Sequence, residues 1–224
     1  MPFLIFLKSF EVLLYEVMSW IVFYPRTLWR TLRNPLRTMK RAEKELELPA
    51  PDQFRDIVSP PIFLLLTVVA ANAVEVAVVG NNKLIDDGVG LAAMITDNTT
   101  LILFRLVAFA TLPVIAGAFA LAAMRRPVDR DTLQPVFYAQ CCATTPVVLL
   151  FSIAEALTRL PSTAANVPAG LLFLAAILFY IGVEGAWFSA EAGRRRVMGL
   201  LWAIAALAIT ALILGFTVLL FTGF

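Results

Sequence analysis

The sequence predicts an all-α polytopic membrane protein: five transmembrane helices with N-terminal interfacial amphipathic helices, N-terminus inside and C-terminus outside. Three observations predict it. Of 224 residues, 60% are apolar and only 15% charged, and the mean hydropathy is +0.85, which leaves too little charge for the surface of a soluble domain. Five stretches, about 61–80, 101–124, 135–157, 168–188 and 197–221, approach the roughly 20 apolar residues that a span requires. The basic residues, finally, alternate between the connecting segments.

That alternation sets the expected orientation. Nine basic residues lie within 1–60, three in the second loop (Arg125, Arg126, Arg130) and three in the fourth (Arg194, Arg195, Arg196). The first loop has only Lys83 and the third only Arg159, while Arg105 falls inside a span. By the positive-inside rule the N-terminus is cytoplasmic. Met1 is followed by Pro2 and a short apolar run with neither a basic n-region nor a small-residue cleavage site, so no secretory signal is read. The chain divides into interfacial helices on the cytoplasmic side (1–48), a proline-marked linker (49–60) and the five-helix domain (61–224).

Residues 3–24 have the length of a span but carry Lys8, Glu11 and Glu16, each costing about 2.5–3.5 kcal/mol near a bilayer centre. Lys8, Glu11, Tyr15 and Ser19 share one face, with Glu16 at its margin. Phe6, Leu13, Leu14, Val17, Trp20 and Ile21 share the other, the pattern of a helix lying in the membrane plane. A second amphipathic helix is expected after Pro25. Arg26, Arg30, Arg33, Arg37, Lys40, Arg41 and Lys44 recur at spacings of three and four, within an arc of roughly 100°. Leu28, Trp29, Leu32, Leu36 and Met39 take its other side, and Pro35 kinks or restarts it, with Asn34 as an N-cap. Such a stripe suits a clamp on anionic lipid headgroups, each basic residue contributing about 1 kcal/mol. Trp20 and Trp29 are the expected membrane-interface anchors. The bland alternative is that topology alone placed these charges.

Inside the spans, Glu75, Arg105, Glu155 and Glu184 form the expected intramembrane charge cluster. The first three share a depth near the outer ends of spans one to three. Arg105 can pair both carboxylates as a structural lock. Alternatively, two carboxylates against one guanidinium leave one inclined to hold a proton, which would serve a small permease. Glu184, near the inner end of span four, is read as a partner of Arg125, Arg126 or the Arg194–Arg196 triplet. Asp86, Asp87 and Asp97 are read as solvated loop acids. Cys141 and Cys142, about 100° apart on a helix, are read as packing residues. Pro113 and Pro146 should kink spans two and three, threonine hydroxyls taking up the freed carbonyls. The small-residue ladders Gly182–Ala186–Ala190 and Gly185–Ser189–Gly193 permit close packing within or between protomers.

Histidine is absent, which removes imidazole catalysis and the commonest transition-metal ligand. No nucleophile-elbow, Walker, dinucleotide or paired-cysteine zinc pattern occurs. No enzyme, cofactor or metal site is therefore expected. Nucleic acid is not an expected partner either, because Trp29 lies opposite the basic stripe and cannot stack bases beside it.

From Thr132 onward the chain resembles the Yip1-type membrane domain. Thr132–Phe151, TLQPVFYAQCCATTPVVLLF, has a polar lead, an aromatic-small stretch and a proline before an apolar run; AWFSAEAGRRRVMGLLWAIAAL from Ala186 resembles that family's basic turn into its last helix. The resemblance covers about 54–224. The signatures of the eukaryotic members are missing, so their role in Golgi traffic is not carried over. What the resemblance implies is a small membrane-embedded scaffold that organises lipids or partner proteins. The expectation is thus a non-enzymatic protein of a bacterial inner (cytoplasmic) membrane that organises lipids or assembles a complex, with a small permease as the alternative. Its expected partners are anionic membrane lipids, and further copies of the chain or a larger membrane complex.

Overall fold

Prolines and aspartates mark where the helices begin. Pro60 and Pro61, which lack the amide hydrogens a first helical turn leaves unused, open a helix after Ser59. Asp97 accepts the Thr100 N–H at 2.7 Å, and Asp129 and Thr132 form a reciprocal capping box. A computed structural model describes residues 2–80, 97–160, 163–193 and 195–222. It has helices α1 (Pro2–Arg33), α2 (Pro35–Glu45), α3 (Pro60–Val79), α4 (Asn98–Ala123), α5 (Arg130–Thr158), α6 (Asn166–Glu191) and α7 (Arg196–Thr222), and no strand among the described residues. Lys83, Asp86, Asp87 and Arg194 lie outside those residues. Asp97 is a helix cap, its carboxyl held below the usual range by the Thr100 amide.

Helices α3 to α7 are each long and apolar enough to cross a membrane, as the five expected spans require. Their outer surfaces expose Val69, Val78, Leu103, Val107, Leu171, Leu178, Leu201 and Leu212, a display that suits lipid and not water. Short connections make the last spans run antiparallel. One end of the bundle, here called the basic face, carries α1, α2, Arg125, Arg126, Arg195 and Arg196; the other end is called the opposite face. Helix α5 is central, touching α1, α2, α3, α4 and α6, and α7 closes the bundle against α6 and α4.

The core has two parts. Near the basic face, Met39 and Ala42 of α2 pack among Leu121, Ala139, Cys142, Val183, Trp187 and Ala203. Leu64, Val68, Cys141 and Val148 form the second part. Cys141 and Cys142 are both buried free thiols, one in each part, which fits the packing reading. Where α6 crosses α7, a Cβ on Gly199 would lie 2.2 Å from the Gly185 carbonyl oxygen, whereas one on Gly182 would meet open space. The Gly185 ladder therefore serves packing within the chain.

Three expectations need correcting. Helix α1 does not stop at Pro25 but runs through it to Arg33. The proline's cost is offset by docking on both sides: the Tyr24 hydroxyl meets Thr67 at 2.8 Å, its ring packs on Phe63, and the Thr27 hydroxyl accepts the Val58 N–H. The break falls at Asn34, which occupies the N-cap of α2 without a side-chain cap bond. The threonines beside Pro113 and Pro146 do not take the freed carbonyls, those of Phe109 and Cys142. Thr111 donates to Val107 and Thr145 to Cys141. Finally, the apolar side of α2 is spent on the protein itself. Met39 is fully buried and Leu36 packs on the same cluster, so α2 is a wedge in the bundle and not a helix floating on lipid.

Candidate functional site

The intramembrane charges form a quartet at the opposite face. Glu75, on the last turns of α3, reaches Arg105 of α4 through one oxygen and Arg159, just past α5, through the other, both at 2.5 Å. Arg159 also holds Glu155 at 2.5 Å, Arg105 approaches it at 3.7 Å, and Asn72 accepts from Arg105 at 3.2 Å. Two guanidinium groups thus balance two carboxylates. The expected surplus carboxylate does not exist, because Arg159, counted as a loop charge, folds back four residues along its own helix onto Glu155. That spacing was the signal for it. Asn72, three residues before Glu75, shares its face.

Glu184 is not part of this cluster. It is fully buried and makes no ion pair among the described residues, so Arg125, Arg126, Arg195 and Arg196 are not its partners, while Arg194 lies outside those residues. It lies against α5, seven residues from the end of α6 at the basic face.

The basic stripe is divided by the Asn34 break. Asp56 of the linker receives Arg30 at 3.1 Å and also Arg41, while Arg41 reaches Glu45 at 3.0 Å. Glu45 in turn accepts the Phe54 N–H at 2.8 Å, holding that residue at a φ of 54°, unusual for a side chain of its size. Burial works to raise the Asp56 carboxyl, but the hydrogen bonds and charges of Arg30 and Arg41 outweigh it and keep the group below its ordinary value. Lys40 lies 3.5 Å from Glu191 at the end of α6. Arg30, Lys40 and Arg41 therefore fasten α1 and α2 to the bundle. Arg26, Arg33, Arg37 and Lys44 stay exposed with no carboxylate partner among the described residues. Arg30, Arg33, Arg37 and Arg41 line a notch of about 370 Å³ at the break, with Trp29 at its edge.

The two tryptophans part company. Trp29 is 64% exposed. Trp20 is instead half-buried and, with Tyr15, Glu16, Ser19 and Phe23, lines a cavity of about 480 Å³ against the linker and Tyr138. Ser19, Trp20 and Phe23 of α1 thus turn toward the protein, and Leu13, Leu14, Tyr15, Met18 and Ile21 are exposed. Asp56 sits in the linker, where spacing carries no signal, whereas Glu45 stands four residues after Arg41 on α2, a spacing that was its signal.

Fold and site together define a multi-pass α-helical membrane protein with a basic notch at one end of its bundle and a neutral charge quartet at the other. No family model, curated protein or solved structure matches the chain.

Proposed function

We propose that this chain is a non-enzymatic membrane scaffold that binds anionic lipid headgroups at its basic face and so organises lipids or assembles a membrane complex. The notch carries this reading. Four arginines line one concavity, two of them, Arg30 and Arg41, already paired with Asp56 and Glu45, so Arg33 and Arg37 are left for a phosphate, with the exposed Trp29 beside them. A bacterial inner membrane with a cytoplasmic N-terminus, and membership of a Yip1-type family, belong to the same proposal and rest on the sequence patterns given above. The quartet supports a structural lock across α3, α4 and α5. Because it is charge-balanced, it offers the permease alternative no spare carboxylate.

The test uses full-length protein extracted gently and examined by native mass spectrometry. Wild type should retain phosphatidylglycerol or cardiolipin over phosphatidylcholine. The double substitution Arg33→Gln, Arg37→Gln should lower that retention at least tenfold, while Arg30 and Arg41 are left in place to hold Asp56. Undiminished retention of anionic lipid in the double variant would sink the proposal. A stoichiometric second protein in the wild-type spectrum would select complex assembly over lipid organisation.

A further inference from the structure

We propose that Glu184, Gln140, Thr144 and Tyr180 form a binding site for a small monovalent cation in the interface between α5 and α6. All four side chains are essentially inaccessible to solvent. Gln140 and Thr144 are one turn apart on α5, and Tyr180 and Glu184 one turn apart on α6, so each pair projects from a single face. The Gln140 side chain lies close enough to the Glu184 carboxylate to act on it as a hydrogen-bond donor, and the Tyr180 hydroxyl feels its charge, yet none of the three groups is held at full hydrogen-bonding distance and angle. Among the described residues, both Glu184 oxygens, Oε1 and Nε2 of Gln140, Oγ1 of Thr144 and the Tyr180 hydroxyl are buried without a hydrogen-bond partner at full bonding geometry, as is Nε1 of Trp187 one turn along α6 from Glu184.

Buried polar atoms are nearly always satisfied, so their recurrence on facing turns of α5 and α6 points to a species that bridges them. Charge decides which species. A single buried carboxylate in a membrane domain, with no arginine or lysine paired to it among the described residues, needs one positive charge and not two. A proton supplies that charge but engages only one acceptor and spans no gap. A sodium-like ion supplies the same charge and can gather up to five oxygens, all hard donors that suit an alkali cation and not a transition metal. The Gln140 N–H donor can then serve a carboxylate lone pair that the ion leaves free. Tyr180 also borders an apolar cavity of about 430 Å³ between α4, α5, α6 and α7, which gives its ring room to turn as an ion enters or leaves. A sequence reading that asks for histidine or spaced cysteines passes over such a site, because its ligands are one acid and three neutral oxygens.

The site is tested on the full chain in detergent, with sodium, lithium and potassium chlorides each compared against choline chloride at equal ionic strength. Sodium or lithium should raise the melting temperature saturably, by roughly 5 °C or more at a hundredfold excess over the dissociation constant. Glu184→Gln should abolish that shift, and Thr144→Val should weaken the half-saturating concentration about tenfold. An alkali cation indistinguishable from choline overturns the proposal, and so does an unchanged response in Glu184→Gln. A wild-type stability that follows pH alone overturns it in favour of a proton. If Glu184→Gln fails to fold, equilibrium binding of radioactive sodium decides: stoichiometric uptake by wild type that weakens in Thr144→Val supports the site, and no uptake refutes it.

Discussion

At the scale of single residues, the quartet shows how a membrane domain tolerates four ionised groups. Glu75 is only 4% exposed at its side chain, and both of its oxygens are taken by guanidinium groups. Desolvation of each charge is met by a partner and by the Asn72 carbonyl, so the cluster is neutral and its hydrogen bonds are directed. Removing one member leaves a buried charge uncompensated. Arg105→Leu should therefore lower unfolding stability by about 3 kcal/mol, and adding Glu75→Leu should restore much of that loss. Reversible unfolding of purified protein in mixed micelles checks both; a double variant as unstable as the single would show that the pair contributes packing and not charge balance. Glu75, Arg105 and Glu155 were legible in the sequence because ionisable residues stand out among apolar ones. Arg159 was not, since a guanidinium beyond the end of a span looks solvated until its i,i+4 partner and the helix end are both placed.

At the scale of elements, α2 is the informative case. Its periodicity announced an amphipathic helix, but periodicity cannot tell whether the apolar side meets lipid or protein. Met39 and Ala42 at full burial settle that in favour of protein. The docking brings Glu43 beside Glu191 of α6, with Lys40, Glu47, Arg126 and the Cys142 thiol around it. Burial first, and the Glu191 charge second, push the Glu43 carboxyl up to about 7, against the opposing pull of Lys40 and Arg126. A carboxyl raised in the folded state favours folding when protonated. Its contribution is fully present below about 4.5 and is lost as pH rises through about 7. Wild type should lose stability on the order of 1–2 kcal/mol between pH 5 and pH 8, discounted because the group is half-buried. Glu43→Gln should remove that component and be the more stable protein at pH 8. The chain has no histidine to titrate in the same window. Melting curves across that range test this, and parallel pH profiles for the two proteins would refute it. Pro25 carries the complementary lesson: a local breaker was legible, but not the contacts of Tyr24 and Thr27 that override it.

At the scale of the whole molecule, the two faces differ in kind. The basic face gathers α1, α2, the exposed Arg26, Arg33, Arg37 and Lys44, and the turns that carry Arg125, Arg126, Arg195 and Arg196. At the opposite face both described arginines, Arg105 and Arg159, are consumed by the quartet. Cytoplasmic leaflets hold the anionic lipids that attract such a surface, so the lipid proposal and the orientation stand or fall together. Val128, 60% exposed in the turn before α5, and Val167, 69% exposed at the start of α6, mark the two faces. The native Cys141 and Cys142 are buried and should be silent toward a membrane-impermeant maleimide. In a bacterial host, Val167→Cys should label in intact cells. Val128→Cys should label only in inverted vesicles. The reverse pattern would put the arginine notch in the leaflet poorer in anionic lipid, and would leave the retained-lipid experiment without its physical basis whatever its result.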